Sequence, residues 1–180
     1  MAERHELSTV MVTSPNGEDS RSAIAANLAV SLAQTGKRVA LLSADLRDST
    51  VHEYFGLAND LGLSNVLAGE IPAWEAAHQP LERLWVFGSG SVAARPVDLL
   101  QSDRIREVVA ECRKAADFVI VEAPAAIGAS DCLALATVVD GILVVADPKH
   151  TDRAEVEQVR TQFAQVGGHV LGAVMSNASG

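Results

Sequence analysis

The sequence predicts one α/β domain with a mostly parallel central sheet and helices on both faces. Three observations predict it. Strand-like and helix-like segments alternate from one end of the chain to the other. The strand-like segments are apolar at almost every position, as strands covered on both faces are. The 180 residues, 48% hydrophobic and 21% charged, suit one compact domain with its own core and argue against disorder.

The elements follow in order. Residues 7–13 read as a buried strand centred on Val10, Met11 and Val12, followed by a polar loop over 14–20. A helix is expected over 21–35, with Ile24, Leu28 and Leu32 at i, i+4 and i+8, and Gly36 in the position that ends helices. Residues 39–42 form a second strand, and 49–79 a mixed stretch of short helices. Residues 84–87 read as a third strand, before a loop rich in Gly and Ser over 88–95. Ser102 suits the N-cap of a helix carrying Ile105, Val108, Val109 and Cys112 on one face. Strands are expected over 118–121 and 142–146. Thr151 suits the cap of a helix with Val156, Val159 and Phe163 inward, stopped by Gly167 and Gly168. A last strand covers 170–175. No repeat or linker divides the chain, so residues 1–180 read as one domain.

Composition narrows the function classes. The net charge of −9 argues against a general nucleic-acid or membrane-surface binder, both of which need basic patches. Residues 1–6 are polar and mixed in charge, unlike a signal peptide. No apolar run approaches the ~20 residues of a spanning helix, so direct membrane insertion is not expected. Cys112 and Cys132 lack the spacing of a redox or zinc site and read as buried, reduced core residues of a cytoplasmic protein. His5, His52, His78, His150 and His169 are scattered without ligand spacing. Trp74 and Trp85 read as packing residues, with Trp74 alternatively a partner contact.

In parallel sheets ligands sit at the carboxyl ends of the strands, which points to the loops after Val12, Leu42, Val121 and Ala146. The first of these reads Thr13-Ser14-Pro15-Asn16-Gly17-Glu18-Asp19-Ser20-Arg21-Ser22-Ala23. A strand, a short polar loop and a helix are the setting of a phosphate loop, G-x-x-x-x-G-K-[ST], whose amides and lysine hold phosphates and whose hydroxyl binds magnesium. Pro15 and Ser20 take the two glycine positions and Arg21 the lysine position, while Ser22 keeps the hydroxyl.

The surroundings carry a resemblance. Thr13-Ser14, Ala25-Ala26-Asn27-Leu28-Ala29, Gly36-Lys37-Arg38-Val39, Asp45-Leu46-Arg47, Pro96-Val97-Asp98-Leu99-Leu100 and Phe118-Val119-Ile120-Val121-Glu122-Ala123-Pro124 stand in order. With Asp131 and Val139-Asp140-Gly141, they resemble the bacterial tyrosine kinase ATPases of polysaccharide synthesis and export. That family belongs to the SIMIBI-type P-loop NTPase fold, which partition and cell-division ATPases share. The early loop lysine of those relatives is Asn16 here, which favours the kinase-like branch.

The resemblance assigns roles residue by residue. Gly17, Ser20, Arg21, Ser22 and Ala23 are a vestigial phosphate loop, and Ser22, Asp45 and Glu122 the magnesium side of the site. Arg21, Asp45 and Glu122 are the remnants of the catalytic set. The departures all weaken nucleotide handling. A planar guanidinium replaces a compact ammonium at Arg21. Glu18 stands beside Asp19 and adds a carboxylate near a nest for anions. Ser43 replaces an aspartate, removing a general base, and Glu122 lengthens another by one methylene, against the tight geometry magnesium requires. Ser22 also reads as a cap of its helix, Asp131 as the cap of a helix over 132–137, and Glu122 as a residual polar residue. Asp45 and Arg47 read equally as a metal site or as turn residues. Asn177 lies near the base-reading position of the class, although Ser176 holds the aligned slot. The tyrosine-rich tail and the N-terminal assembly helix of the family have no counterpart, Tyr54 being the one tyrosine. The chain is then an excised domain or lacks those functions.

The reading is a degenerate, inactive regulator or scaffold in exopolysaccharide or capsule work, with no cofactor. Its partner is a membrane polysaccharide co-polymerase or a related ATPase subunit, with homo- or hetero-oligomers as further partners. It is expected in the cytoplasm, reaching the inner membrane face through a partner or a fused segment. The alternatives are an ATPase or tyrosine kinase with an unorthodox loop, binding ATP or ADP with magnesium, and a partition-type ATPase.

Overall fold

The computed structural model describes residues 7–17 and 20–177. Seven strands form one sheet in the order β3-β4-β2-β5-β1-β6-β7. They are β1 (Thr9–Thr13), β2 (Val39–Ser43), β3 (Ala77–Leu81), β4 (Leu84–Phe87), β5 (Phe118–Glu122), β6 (Gly141–Ala146) and β7 (Val170–Met175). Every neighbouring pair is parallel except β3 and β4. The helices are α1 (Arg21–Gln34), α2 (Val51–Tyr54), α3 (Leu63–Leu67), α4 (Pro96–Gln101), α5 (Asp103–Ala115), α6 (Ser130–Ala136) and α7 (Arg153–Gln165).

The apolar strands split their side chains between two cores. On one face Val10, Val12, Val39, Leu41 and Ile120 pack against α1 and Val51 of α2. On the other, Met11, Leu42, Phe87, Val119, Val121 and Ile142 pack against residues of α3 to α7. This is the expected α/β architecture. Central strands are covered on both sides, whereas β7, at the edge, leaves Leu171 and Met175 exposed.

Four local expectations change. The buried stripe of α1 is Ala25, Ala29 and Ala33, while Ile24, Leu28 and Leu32 flank it half-buried. The valines and leucines of the sheet already fill the layer, so the helix approaches through its smallest residues. The stretch of short helices holds α2, α3 and a 3-10 turn (Ala73–Ala76), but it ends in the antiparallel edge strand β3. Pro80 hid that strand, because a proline is tolerated only at an edge where a missing N–H breaks no ladder. The cap of α7 is Asp152, not Thr151. Its carboxylate accepts from the Glu155 N–H at 2.8 Å while Glu155 reaches back to the Asp152 N–H at 2.9 Å. Asp131 is not an N-cap either, since α6 begins at Ser130.

Ser102 does precede α5, whose Ile105, Val108, Val109 and Cys112 are buried as expected, but its hydroxyl donates backwards to the Leu99 carbonyl. Gly36 ends α1 with φ +88°, a left-handed conformation that penalises a Cβ. Both cysteines are buried and free. Trp74 is 39% exposed and packs edge-on against Trp85 and Phe87. No helix among the described residues is long and apolar enough to cross a membrane. His5 and the Glu18–Asp19 pair of carboxylates lie outside the described residues.

Candidate functional site

Because β1, β2, β5 and β6 are parallel neighbours, their carboxyl ends open on the same side of the sheet. The β1 loop is drawn down there. The Ser14 and Pro15 carbonyls accept from Ala126 and Ile127 N–H at 2.8 and 3.0 Å. Asn16 donates to the His150 carbonyl at 2.8 Å, tying the loop to the end of β6. Gly17 is exposed with nothing near its missing Cβ, and Ser20 precedes α1 without a side-chain cap bond. Ala23 lies in the first turn, half-buried.

Arg21 is the first residue of α1 and is buried. Its guanidinium crosses the ends of β2 and β5. Nη2 donates to Asp45 Oδ2 at 2.5 Å, Nε donates to the Ala123 carbonyl at 3.0 Å, and Nε lies 3.6 Å from Glu122 Oε1. Ser22 does not cap the helix; its hydroxyl donates to Glu122 Oε1 at 2.8 Å. On the other carboxylate oxygen, Ser43 donates to Glu122 Oε2 at 3.2 Å and Ser49 at 3.4 Å, and the two serine hydroxyls touch each other. Glu122 has no exposed surface.

The remaining acids are bound as well. Asp45 Oδ1 accepts from the Arg47 and Asp48 N–H groups, both at 3.2 Å, an Asx turn that holds the end of β2. Arg47 reaches across to Asp131 Oδ2 at 2.6 Å, and Asp131 is fully buried at the start of α6. Thr13 donates to the Pro124 carbonyl at 2.7 Å and touches Cys132 Sγ at 3.4 Å. At the end of β6, Asn177 donates to Asp147 Oδ2 at 2.8 Å.

The electrostatics follow from these contacts. Burial pushes the Glu122 carboxyl up to about 7, and the Asp45 charge adds to the rise; Arg21 and the serine hydroxyls oppose it. Burial likewise pushes Cys112 and Cys132 up to about 12, which leaves them unreactive thiols.

Arg21, Ser22, Asp45 and Glu122 therefore converge, while Gly17 and Ser20 stay outside the cluster. Ser49 belongs to the site although no motif marked it, and Ala123, within a marked motif, joins through its carbonyl. The sequence signal was a changed cation at 21, a guanidinium in place of an ammonium, together with a missing acid at 43. An intact phosphate loop binds ATP together with magnesium. Magnesium needs open oxygen ligands at about 2.0–2.1 Å. Both oxygens of Asp45 and both of Glu122 already accept from protein donors, and a buried cation stands among them.

Comparison with known proteins gives consistent results. A family profile described as ParA, NUBPL iron-transfer P-loop NTPase, matches residues 7–180. Tyrosine-protein kinase YwqD of Bacillus subtilis is 35% identical over 172 residues, covering 95% of this chain and 73% of that protein. The kinase domain of Escherichia coli tyrosine kinase ETK superposes with a TM-score of 0.91 at 27% identity, over 98% of this chain and 71% of that one. The septum site-determining protein MinD of Pyrococcus horikoshii, complexed with Mg-ADP, shares the fold at 20% identity, with a TM-score of 0.82 over 96% of this chain and 71% of its own.

Proposed function

Since the chain belongs to the ParA family of P-loop NTPases, in its bacterial tyrosine kinase branch, we propose that it is a non-catalytic member that regulates or scaffolds its partners. One observation carries this reading. The side chain at the position of the phosphate-gripping lysine is turned inward and bonded to Asp45, so it is spent on the protein rather than offered to a ligand. Ser43 removes a carboxylate at the same place, and with it the general base that the resemblance assigns there. The partner class is a membrane polysaccharide co-polymerase or a related ATPase subunit, from the likeness to tyrosine kinases of that system. Through such a partner the domain would work at the inner face of the membrane, and it would bind neither nucleic acid nor lipid directly.

The deciding experiment is calorimetric titration of the protein with ATP in excess magnesium. Silence across the millimolar range is the expected result, together with no autophosphorylation. Saturable micromolar, magnesium-dependent binding overturns the proposal. It would establish instead an ATP-binding enzyme with an unorthodox loop, a reading that the Ser22–Glu122 hydrogen bond supports because it pairs the two groups that would hold the metal. A partition-type ATPase is disfavoured by Asn16 at the early lysine position and by the acidic balance.

A further inference from the structure

The cluster at the ends of β2 and β5 is shaped for one kind of cation. Among the described residues its acceptors include Asp45 Oδ2, the Ala123 carbonyl and Glu122 Oε1, placed around the edge of a flat group at 2.5, 3.0 and 3.6 Å. Ser22, Ser43 and Ser49 bind Glu122 from its other sides and keep its oxygens oriented. The Asx turn at Asp45 fixes the second carboxylate. A guanidinium presents donors in a rigid plane and is weakly hydrated, so it suits a nearly closed site. An ammonium is a point charge, and magnesium is smaller, octahedral and reluctant to shed water.

We propose that the Arg21 side chain is the resident occupant of a guanidinium-selective pocket, and that this tethered cation fixes the ends of β2 and β5 in one arrangement without nucleotide. Arg21 bridges the start of α1 to the loops after β2 and β5, the bridge that Mg·ATP makes in an intact phosphate loop. The proposal rests on the non-catalytic reading of the same site. It adds the ligand chemistry of the pocket and the consequence that the domain has one state rather than two.

Chemical rescue tests it. Arg21→Ala empties the pocket and is expected to lower the melting temperature by roughly 5 °C. Guanidinium chloride at about 50 mM, supplying the lost group untethered, is expected to restore at least half of that loss. Urea, sodium chloride and magnesium chloride at the same concentration are expected to restore none. An unchanged melting temperature, no recovery with guanidinium, or equal recovery with magnesium overturns the proposal. A measurement on the unaltered protein decides the matter if the variant does not fold. The Arg21 Nε–H signal in a 15N-arginine spectrum, assigned through Arg21→Lys, is expected to exchange slowly and to stay in place when Mg·ATP is added. A fast-exchanging signal overturns the proposal.

The two readings fail separately. ATP binding that shifts the Arg21 signal sinks both. ATP binding that leaves the signal in place sinks only the non-catalytic reading. Calorimetric silence without guanidinium rescue sinks only the occupant.

Discussion

Glu122 closes β5 with its carboxyl fully buried and pushed up to about 7 from the ordinary 4.5. Between those two values the folded protein holds a proton that the unfolded chain has released. Stability is therefore fully present below about 4.5 and falls, by roughly 3 kcal/mol in all, as pH rises through 7. Glu122→Gln is expected to remove most of this slope, so that the variant gains on the parent at pH 8 and not at pH 4.5. Denaturant midpoints at the two values check it. Asp45 is the complement. Asp45→Ala leaves the buried Arg21 charge without its nearest acceptor, and a loss of about 3–5 kcal/mol is expected. Urea unfolding of the single variant and of Asp45→Ala with Arg21→Met measures this, the pair losing less than the single change. Cys112 and Cys132 are expected to resist thiol reagents until the protein unfolds, because both are buried and held as thiols up to about 12.

At the scale of elements, α1 sets the spacing of its layer by alanines. Ala29→Leu forces extra methylenes against the sheet and is expected to cost about 1–3 kcal/mol, whereas a leucine at exposed Gln34 is expected to be neutral. Thermal denaturation of the two variants separates them. All six parallel strands were legible in the sequence because they are apolar along most of their length, as at 39–42 and 118–121. β3 was not, since AHQPL carries polar residues at its centre and is broken by Pro80. The caps were legible only as residue types. Serine, threonine and aspartate mark helix starts, but whether Ser22, Thr151 or Asp131 spends its oxygen on a cap depends on tertiary partners such as Glu122 and Arg47. The site had the same limit. Motif order brought Arg21, Ser22, Asp45 and Glu122 together, while the inward turn of Arg21 and the part of Ser49 depend on a contact between distant loops.

For the whole molecule, one sheet carries every loop of the site, and β5 lies between β2 and β1 at its centre. A ligand that bound here would stabilise the entire fold by mass action, about 2.7 kcal/mol at a hundred times its dissociation constant. The melting temperature is expected not to move with millimolar Mg·ATP, and differential scanning fluorimetry checks this on the unaltered chain. The side chains that occupy the site are bonded to one another rather than placed side by side, Arg21 to Asp45 and Ser22, Ser43 and Ser49 to Glu122. On the proposed non-catalytic reading, a population acquiring substitutions one at a time meets that network as a valley between two viable genotypes. Lysine at 21 gives up the Nε bond to the Ala123 carbonyl, aspartate at 43 sets a second acid beside Glu122, and each first step is expected to cost stability until the others are made. On that same reading, a route back to a working phosphate loop runs through several changes inherited together.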